Sequence, residues 1–387
     1  MFDAPPRAVF LHPNDGCLTA ARVLIRRGVS VHLLATGEYR YVLAARGVTG
    51  RVMPDMRADP RPWLHELHTL GEAVVFCGSD AATEWVTTHR AQLDERLRTF
   101  ESADRVHVEL MDKRKLYRTA AQAGVRVPWM VQVATREQLA EQLGDLRFPC
   151  VVKPTLGHIA KRLLGSGTLR ADSLRELAAV AAPLLDRAIP FLLTELVPGP
   201  ETALEGAVLV RRANGSYALE YGRRKLRQWP LDYGMGSLLE AADVPETLRL
   251  GRRLLDHAGY VGIASCETKR HAHTGELCLI EVNVRIPANF GLSEACRVDG
   301  VWRLYATLAG LALGRQPVQR YGSKVVLPQK DAQAALARWR RGDASLPQIA
   351  RSLRGVRDAG ALSVRDPAPA LAQLRQIARC RRGAPTS

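Results

Sequence analysis

With 387 residues, 47% of them hydrophobic and 24% charged, the chain is long enough for roughly two or three domains with substantial cores and has an ordinary globular composition. No run is long and apolar enough to span a membrane, the first residues lack the basic start and apolar stretch of a secretory signal, and the seven cysteines form no Cys-x-x-Cys pair, so reduced thiols and the cytoplasm are expected. The net charge of +16 raises nucleic-acid binding, but arginines are spread along the chain and aromatics reach only 6%; no nucleic-acid partner is expected, and the charge suits anionic substrates.

Residues 7–11 read as a strand, 12–16 as a turn, 17–27 as a helix and 29–34 as a second strand. This β-turn-α-β order predicts an α/β unit with a doubly wound parallel sheet over residues 1–110. A later strand, 73–77, ends at Gly78-Ser79-Asp80 before another helix. Ligands of such sheets sit beyond the carboxyl ends of the strands, which marks Asn14, Gly16, Ser79 and Asp80 as places for a substrate. No Gly-x-Gly-x-x-Gly follows the first strand, so this is not a dinucleotide fingerprint.

Beyond a boundary between Phe100 and Asp112, Asp112-Lys113 opens a helix, and Lys113 sits with Arg114 and Lys115 on what reads equally as a solvated helix start. Lys153 ends an apolar run, 148–152, and precedes a proline, as in a buried strand. From Thr155 to Thr168, Gly157, Gly165 and Gly167 accompany Lys161 and Arg162. This segment reads either as a basic hairpin loop or as a lid whose N–H groups cradle phosphate; its spacing is not that of a Walker A loop, and His158 within it is more simply a bystander. Glu195 stands at another strand end, after Phe191-Leu192-Leu193-Thr194.

Arg223, Lys225 and Arg227 alternate onto one face of a basic strand, which is either a charge-protected edge or a surface for phosphate and carboxylate. In the glycine-rich segment that follows, Asp232 and, further on, Glu240 are both candidates to recognise an amine. Two strand-like runs, 263–269 and 279–285, flank the turn-rich residues 271–275 and read as a β-hairpin. On the second, Glu281, Asn283 and Arg285 share one face, and the hairpin brings Glu267 beside Glu281. Like charges so placed need a cation between them. Glu267, Glu281 and Asn283 suit a hard divalent ion, and Arg285 suits a phosphate, although an internal salt-bridge network would also satisfy them. Asn289 either contacts substrate or caps the helix near Ser293. In the tail, Leu371, Leu374 and Ile377 or Ala378 form an apolar helical face expected to dock on its own domain, with anionic lipid or an acidic partner as the alternative.

Taken in order, Asp112-Lys113, Val151-Val152-Lys153-Pro154, Thr194-Glu195-Leu196-Val197-Pro198-Gly199, the basic strand from Arg223, Glu267 and Glu281-Val282-Asn283 resemble the ATP-grasp superfamily, in its carboxylate–amine ligase branch, close to D-aspartate ligase-like proteins. The resemblance covers Met111 to Gly314. It implies a Rossmann-like domain before an ATP-grasp fold at residues 111–322, whose two α+β subdomains clamp ATP, with 323–387 left as a basic extension of open role. It further implies ATP phosphates on Lys113, Lys153, Gly157 and Lys161. Adenine would lie at Glu195, Leu196 and Val197, and ribose on Glu201 or Glu205. Mg²⁺ or Mn²⁺ would be held by Glu267, Glu281 and Asn283, with Arg285, Lys225 and Arg227 as catalytic cations. The expected reaction joins a small carboxylate to an amine, amino-acid-like in kind, through an acyl phosphate. Carboxylation through carboxyphosphate and a non-catalytic nucleotide-binding module are the alternatives; no biotin-acceptor lysine motif is present. Related ligases are often dimers.

Overall fold

The computed structural model describes residues 5–144, 146–154 and 168–381. The chain divides into two compact units, one of Met1–Thr119, Glu201–Thr268 and Glu281–Ser387, the other of Ala120–Pro200 and Lys269–Ile280.

The first unit begins with five parallel strands, β1 (Arg7–Leu11), β2 (Val31–Ala35), β3 (Val48–Val52), β4 (Ala73–Cys77) and β5 (Leu97–Arg98), in the order β3-β2-β1-β4-β5. This is the expected doubly wound parallel sheet. β1 and β4 are apolar on both faces because helices cover both. Ala8, Phe10, Val74 and Phe76 join one core, and Val9, Leu11 and Val75 join another around Trp63 and Trp85.

The order reverses between β1 and β4, and their carboxyl ends meet one buried side chain, Asn14. Its Oδ1 caps helix Asp15–Arg26 at Cys17 N (3.1 Å), and its Nδ2 donates to Gly78 O (2.7 Å) and Ile286 O (2.8 Å). Ile286 N also donates to Cys77 O at 3.0 Å. Asn14, expected to meet a substrate, is therefore committed to scaffolding. Gly16 completes the joint, since a Cβ there would lie 2.1 Å from Pro287 O.

The second unit holds β6 (Met130–Val133), β7 (Cys150–Pro154), β8 (Leu169–Ala171) and β9 (Phe191–Glu195), ordered β6-β9-β7-β8 over a core of Val152, Leu177, Leu184, Phe191 and Leu193.

A seven-stranded sheet follows: β10 (Leu204–Arg211), β11 (Tyr217–Trp229), β12 (Met235–Ala241), β13 (Gly262–Arg270), β14 (Leu277–Asn283), β15 (Lys324–Val326) and β16 (Val356–Asp358), in the order β14-β13-β10-β11-β12-β15-β16. Residues after 323, set apart by sequence as a basic extension, thus supply two of its strands. β12 reaches β11 only from Arg223 onward. Ahead of that point two side-chain amides stand in for a strand: Gln316 exchanges two hydrogen bonds with the Glu220 backbone (2.8 and 2.6 Å), and Gln319 two with Gly222 (2.9 and 2.7 Å).

The C-terminal helix, Ala368–Arg381, docks on a different face from the expected one. Leu371 and Leu374 remain 52% and 63% exposed. Gln376 Nε2 holds the helix by donating to Gly37 O (2.8 Å) and Glu38 O (3.0 Å), and Ala372 packs on the core. The described contacts that hold the helix are thus two hydrogen bonds and Ala372, not the Leu371–Leu374 stripe.

Asn14→Ala removes a helix cap and leaves two buried carbonyls without their donor. Urea denaturation of this variant is expected to show a loss of about 2–4 kcal/mol.

Candidate active site

β11, β13 and β14 turn polar side chains into one cleft of the first unit, where Arg223, Lys225, Glu267, Glu281, Asn283 and Arg285 all contribute lining atoms. Lys225 Nζ donates to Glu267 Oε2 at 3.2 Å, and Arg223 Nη2 lies 3.5 Å from Oε1. Both cations are buried and find further acceptors. Arg223 donates to Ser265 Oγ (2.7 Å) and Asn289 Oδ1, and Lys225 to Gln228 Oε1 and Gly234 O, each at 3.4 Å. Burial pushes the Glu267 carboxyl up, but Lys225 and Arg223 outweigh it and hold the group below its ordinary range. Glu267 is an ionised carboxylate engaged on both oxygens.

The second polar row runs from Glu281. Asn283 Nδ2 donates to Glu281 Oε1 (2.7 Å), and Arg285 Nη2 donates to Asn283 Oδ1 (3.1 Å). β14 ends at Asn283, so Arg285 lies past the strand, and its Nε reaches Asp80 Oδ1 at 3.0 Å. Asp80 is the first residue of helix Asp80–His89, capped by Ser79, where the helix dipole favours a carboxylate. Thr83 Oγ1 donates to Val284 O (3.2 Å) and fixes the same segment. Glu267, Glu281 and Asn283 offer only oxygen ligands, the donor type of a hard cation that keeps waters and substrate phosphates. Among the described residues no set of three or more His, Cys, Asp or Glu converges on a metal position, so such an ion would rest on two carboxylates and one amide.

Arg227 does not join this face. Lys225 pairs with Leu239 and Arg227 with Leu238, so a β-bulge at Leu226 breaks the alternation that aligned the three cations in the sequence. Arg227 turns away and forms a buried two-pronged ion pair with Asp331 of helix Pro328–Arg341, Nε to Oδ1 at 2.8 Å and Nη2 to Oδ2 at 2.6 Å. Ser237 Oγ adds a bond to the same carboxylate at 3.0 Å. Arg227 is a structural cation. The two candidates for an amine are also engaged: Arg341 donates to Asp232 (3.4 Å), and Lys324 lies 3.7 Å from Glu240.

Asn289 accepts from Arg223 and lines the cleft, while helix Leu292–Ala295 begins without it as a side-chain cap. Lys113, the first residue of helix Lys113–Gln122, carries its Nζ over the Tyr117 ring at 5.7 Å. Glu205 accepts from Thr247 Oγ1 at 2.7 Å. Glu201 takes the Asp232 N–H on Oε1 (3.3 Å), and its buried Oε2 has no partner among the described residues.

In the second unit Lys153 lies in β7 opposite Leu192. Glu195 ends β9, accepting from Trp129 N (3.3 Å) and Arg126 Nη2 (3.5 Å). The Leu196 N–H donates to Pro149 O at 3.3 Å, and Val197 is buried. Gly157, His158 and Lys161 lie outside the described residues.

Ser265 and Asp80 complete the cleft network without having been assigned these roles from sequence. Ser265 stands two residues before Glu267 on β13 and therefore shares its face, a signal that alternation could have supplied. The Arg285–Asp80 pair joins residues 205 positions apart and has no local signal.

No protein-family model matches the chain, and no curated protein does. Solved structures do. N5-carboxyaminoimidazole ribonucleotide synthetase from Thermus thermophilus matches with a TM-score of 0.63 at 16% identity over 82% of this chain and 81% of that one. Biotin carboxylase from Campylobacter jejuni, in an ATP-analogue complex, gives 0.62 at 15% over 82% and 74%. The Aspergillus clavatus carboxyaminoimidazole ribonucleotide synthase complexed with ATP gives 0.61 at 14% over 82% and 81%. The fold of this chain is the ATP-grasp fold, as the order of its motifs implied.

Arg227→Ala would strand the buried Asp331 carboxylate. Chemical denaturation is expected to register a loss of about 3–5 kcal/mol, the range for breaking one side of a buried pair.

Proposed function

We propose that this chain is an ATP-dependent ligase that activates a carboxylate as an acyl phosphate and passes the acyl group to an amine. The observation that carries the reading is the cleft in which Glu267, Glu281 and Asn283 face Arg223, Lys225 and Arg285. Anionic oxygens set among fixed cations suit the movement of a phosphoryl group, whose charge must be neutralised at every stage.

In this reading a carboxylate oxygen attacks the γ-phosphorus of ATP, the bond to the bridging oxygen breaks, and ADP leaves. The amine nitrogen then attacks the acyl carbon and gives up a proton, and phosphate departs. Arg285, aimed by Asp80 and Asn283, steadies the transferring phosphoryl oxygens. Lys225, which donates to Glu267, would neutralise charge that develops on the reacting groups. Glu267, Glu281 and Asn283 would hold Mg²⁺ or Mn²⁺, which supplies charge neutralisation for the phosphates. Lys113 and Lys153 would serve the α- and β-phosphates, with Gly157 and Lys161 as lid contacts. Glu195, Leu196 and Val197 would border adenine, the Leu196 carbonyl rather than its engaged N–H being the group to offer. Glu201 is preferred over Glu205 for ribose, because its Oε2 is an acceptor in search of a donor while Glu205 already holds Thr247. The partners are small molecules, a carboxylate and an amino-acid-like amine, handled by a monomer or homodimer.

A second reading has its own support. The similar solved structures include enzymes named for carboxylation, and bicarbonate is itself a carboxylate. The same cleft would then form carboxyphosphate and transfer a carboxyl group to the amine.

ADP release from ATP and Mg²⁺, followed across organic acids, bicarbonate and amines with mass spectrometry of each product, separates the readings. An amide lighter by one water than its two precursors supports ligation of an organic acid. Uptake of labelled bicarbonate into the amine supports carboxylation. ATP that binds yet yields no ADP under any pairing would point instead to a nucleotide-binding module.

Glu281 is exposed, so Glu281→Gln should keep the thermal transition of the parent. Its ADP release should fall by at least about a hundredfold, on the scale of losing one preorganised charge. Parent-like turnover would remove Glu281 from the metal set.

A further inference from the structure

A second concavity in the first unit plays no part in the reaction proposed above. It lies between helix Asp15–Arg26 and the segment after β16, with a cavity volume of about 500 Å³ against about 190 Å³ for the cleft. Four arginines line it: Arg22 and Arg26 from the helix, Arg357 and Arg365 from the opposite wall.

Arg22 is consumed by the wall itself. Its Nε pairs with Asp366 Oδ2 (2.8 Å), Nη1 donates to Gly360 O (2.6 Å), and Nη2 donates to Asp366 O (3.0 Å). The other three are exposed, and none of their side chains has a hydrogen bond or an ion pair among the described residues; Glu294 feels Arg26 only as a nearby charge. The one carboxylate in the lining, Asp358, accepts from Thr19 Oγ1 (2.9 Å) and Gly360 N (2.7 Å). Three arginines without a side-chain partner and one carboxylate therefore line the same hollow. A chain of net charge +16 must carry unpaired cations. Spreading them over the surface minimises their repulsion, whereas gathering three around one cavity concentrates a positive potential that an anion relieves. Guanidinium forks match phosphate oxygens, and the volume exceeds what a single phosphate fills. Leu362 and Val364, 62% and 99% exposed, add apolar surface beside the charges.

The floor of this pocket rests on the residues that carry the cleft. A Cβ at Gly291 would lie 2.5 Å from Asp358 Oδ2, and one at Gly360 would lie 3.2 Å from Asp15 Oδ1. Gly291 follows cleft-lining Asn289 by two residues, and Asp15 follows Asn14, which holds Ile286. Asp358 and its wall thus abut Gly291 and Asp15 without room for a further carbon.

We propose that this pocket is a second ligand site, for a small organic molecule bearing a pyrophosphate or two phosphates, and that its occupancy is transmitted to the cleft through Asp358 and Gly291. Arg26, Arg357 and Arg365 provide the charge recognition.

Calorimetric titration of the full chain with inorganic pyrophosphate, in chloride buffer without divalent ions, tests the site. The parent should bind, the Arg357→Ala/Arg365→Ala double variant at least tenfold more weakly, and Arg285→Ala, which removes one cation of the cleft, should retain the parent affinity. Absence of binding by the parent, an unchanged affinity in the double variant, or loss only in Arg285→Ala would overturn the assignment. Hydrogen–deuterium exchange of residues 286–291 tests the transmission. Pyrophosphate should change their exchange in the parent and not in the double variant; no change in the parent would overturn it.

Discussion

Glu267 is held between Lys225 and Arg223 inside a sheet, and the geometry of the cleft depends on that balance. Burial of a carboxylate or a cation is costly unless each is paired and hydrogen-bonded. Together they satisfy one another, with Ser265, Asn289, Gln228 and Gly234 taking the remaining hydrogen bonds. The cost of removing three charges from water is thus offset locally, and the cleft keeps a preformed set of charges.

The cleft is supported from behind by the parallel sheet. Asn14, Thr83 and the backbone of Cys77 bind consecutive carbonyl and amide groups of residues 284–286, so the end of β14 is tied to the carboxyl ends of β1 and β4. Asp80 extends the same support to a side chain by orienting Arg285. The carboxyl edge of the parallel sheet, where related architectures place ligands, is here largely occupied by the protein's own segment. The role of that edge in this chain is to position the residues that follow the last acidic strand.

A single inserted residue decides which cations face the cleft. The bulge at Leu226 sends Lys225 toward Glu267 and Arg227 toward Asp331. One becomes part of a polar site and the other ties the large sheet to helix Pro328–Arg341. The same segment of sequence therefore lines the polar cleft and ties the sheet to a helix, and the local rule of alternation does not separate the two.

Alternation of apolar and polar residues and short turns made the parallel sheet, the hairpin at 262–283 and the row Glu281, Asn283, Arg285 readable directly from the chain, whereas the ATP-grasp fold was implied only by the resemblance of its ordered motifs to that superfamily. Those features arise from neighbours in sequence, where side-chain period and backbone geometry are enough. Alternation failed at Arg227, because a bulge is set by what the partner strand and the packed helix require. Helical periodicity misjudged the tail, because Gln376 reaches Gly37 and Glu38, residues 339 and 338 positions away that periodicity does not see. The choice of Glu201 over Glu205 as an available acceptor, the commitment of Asn14 to the scaffold and the pairing of Arg285 with Asp80 all rest on hydrogen bonds between distant segments. Such partners are fixed only when the chain is packed, since a polar group's role depends on which donor or acceptor remains within reach once every buried group has been satisfied.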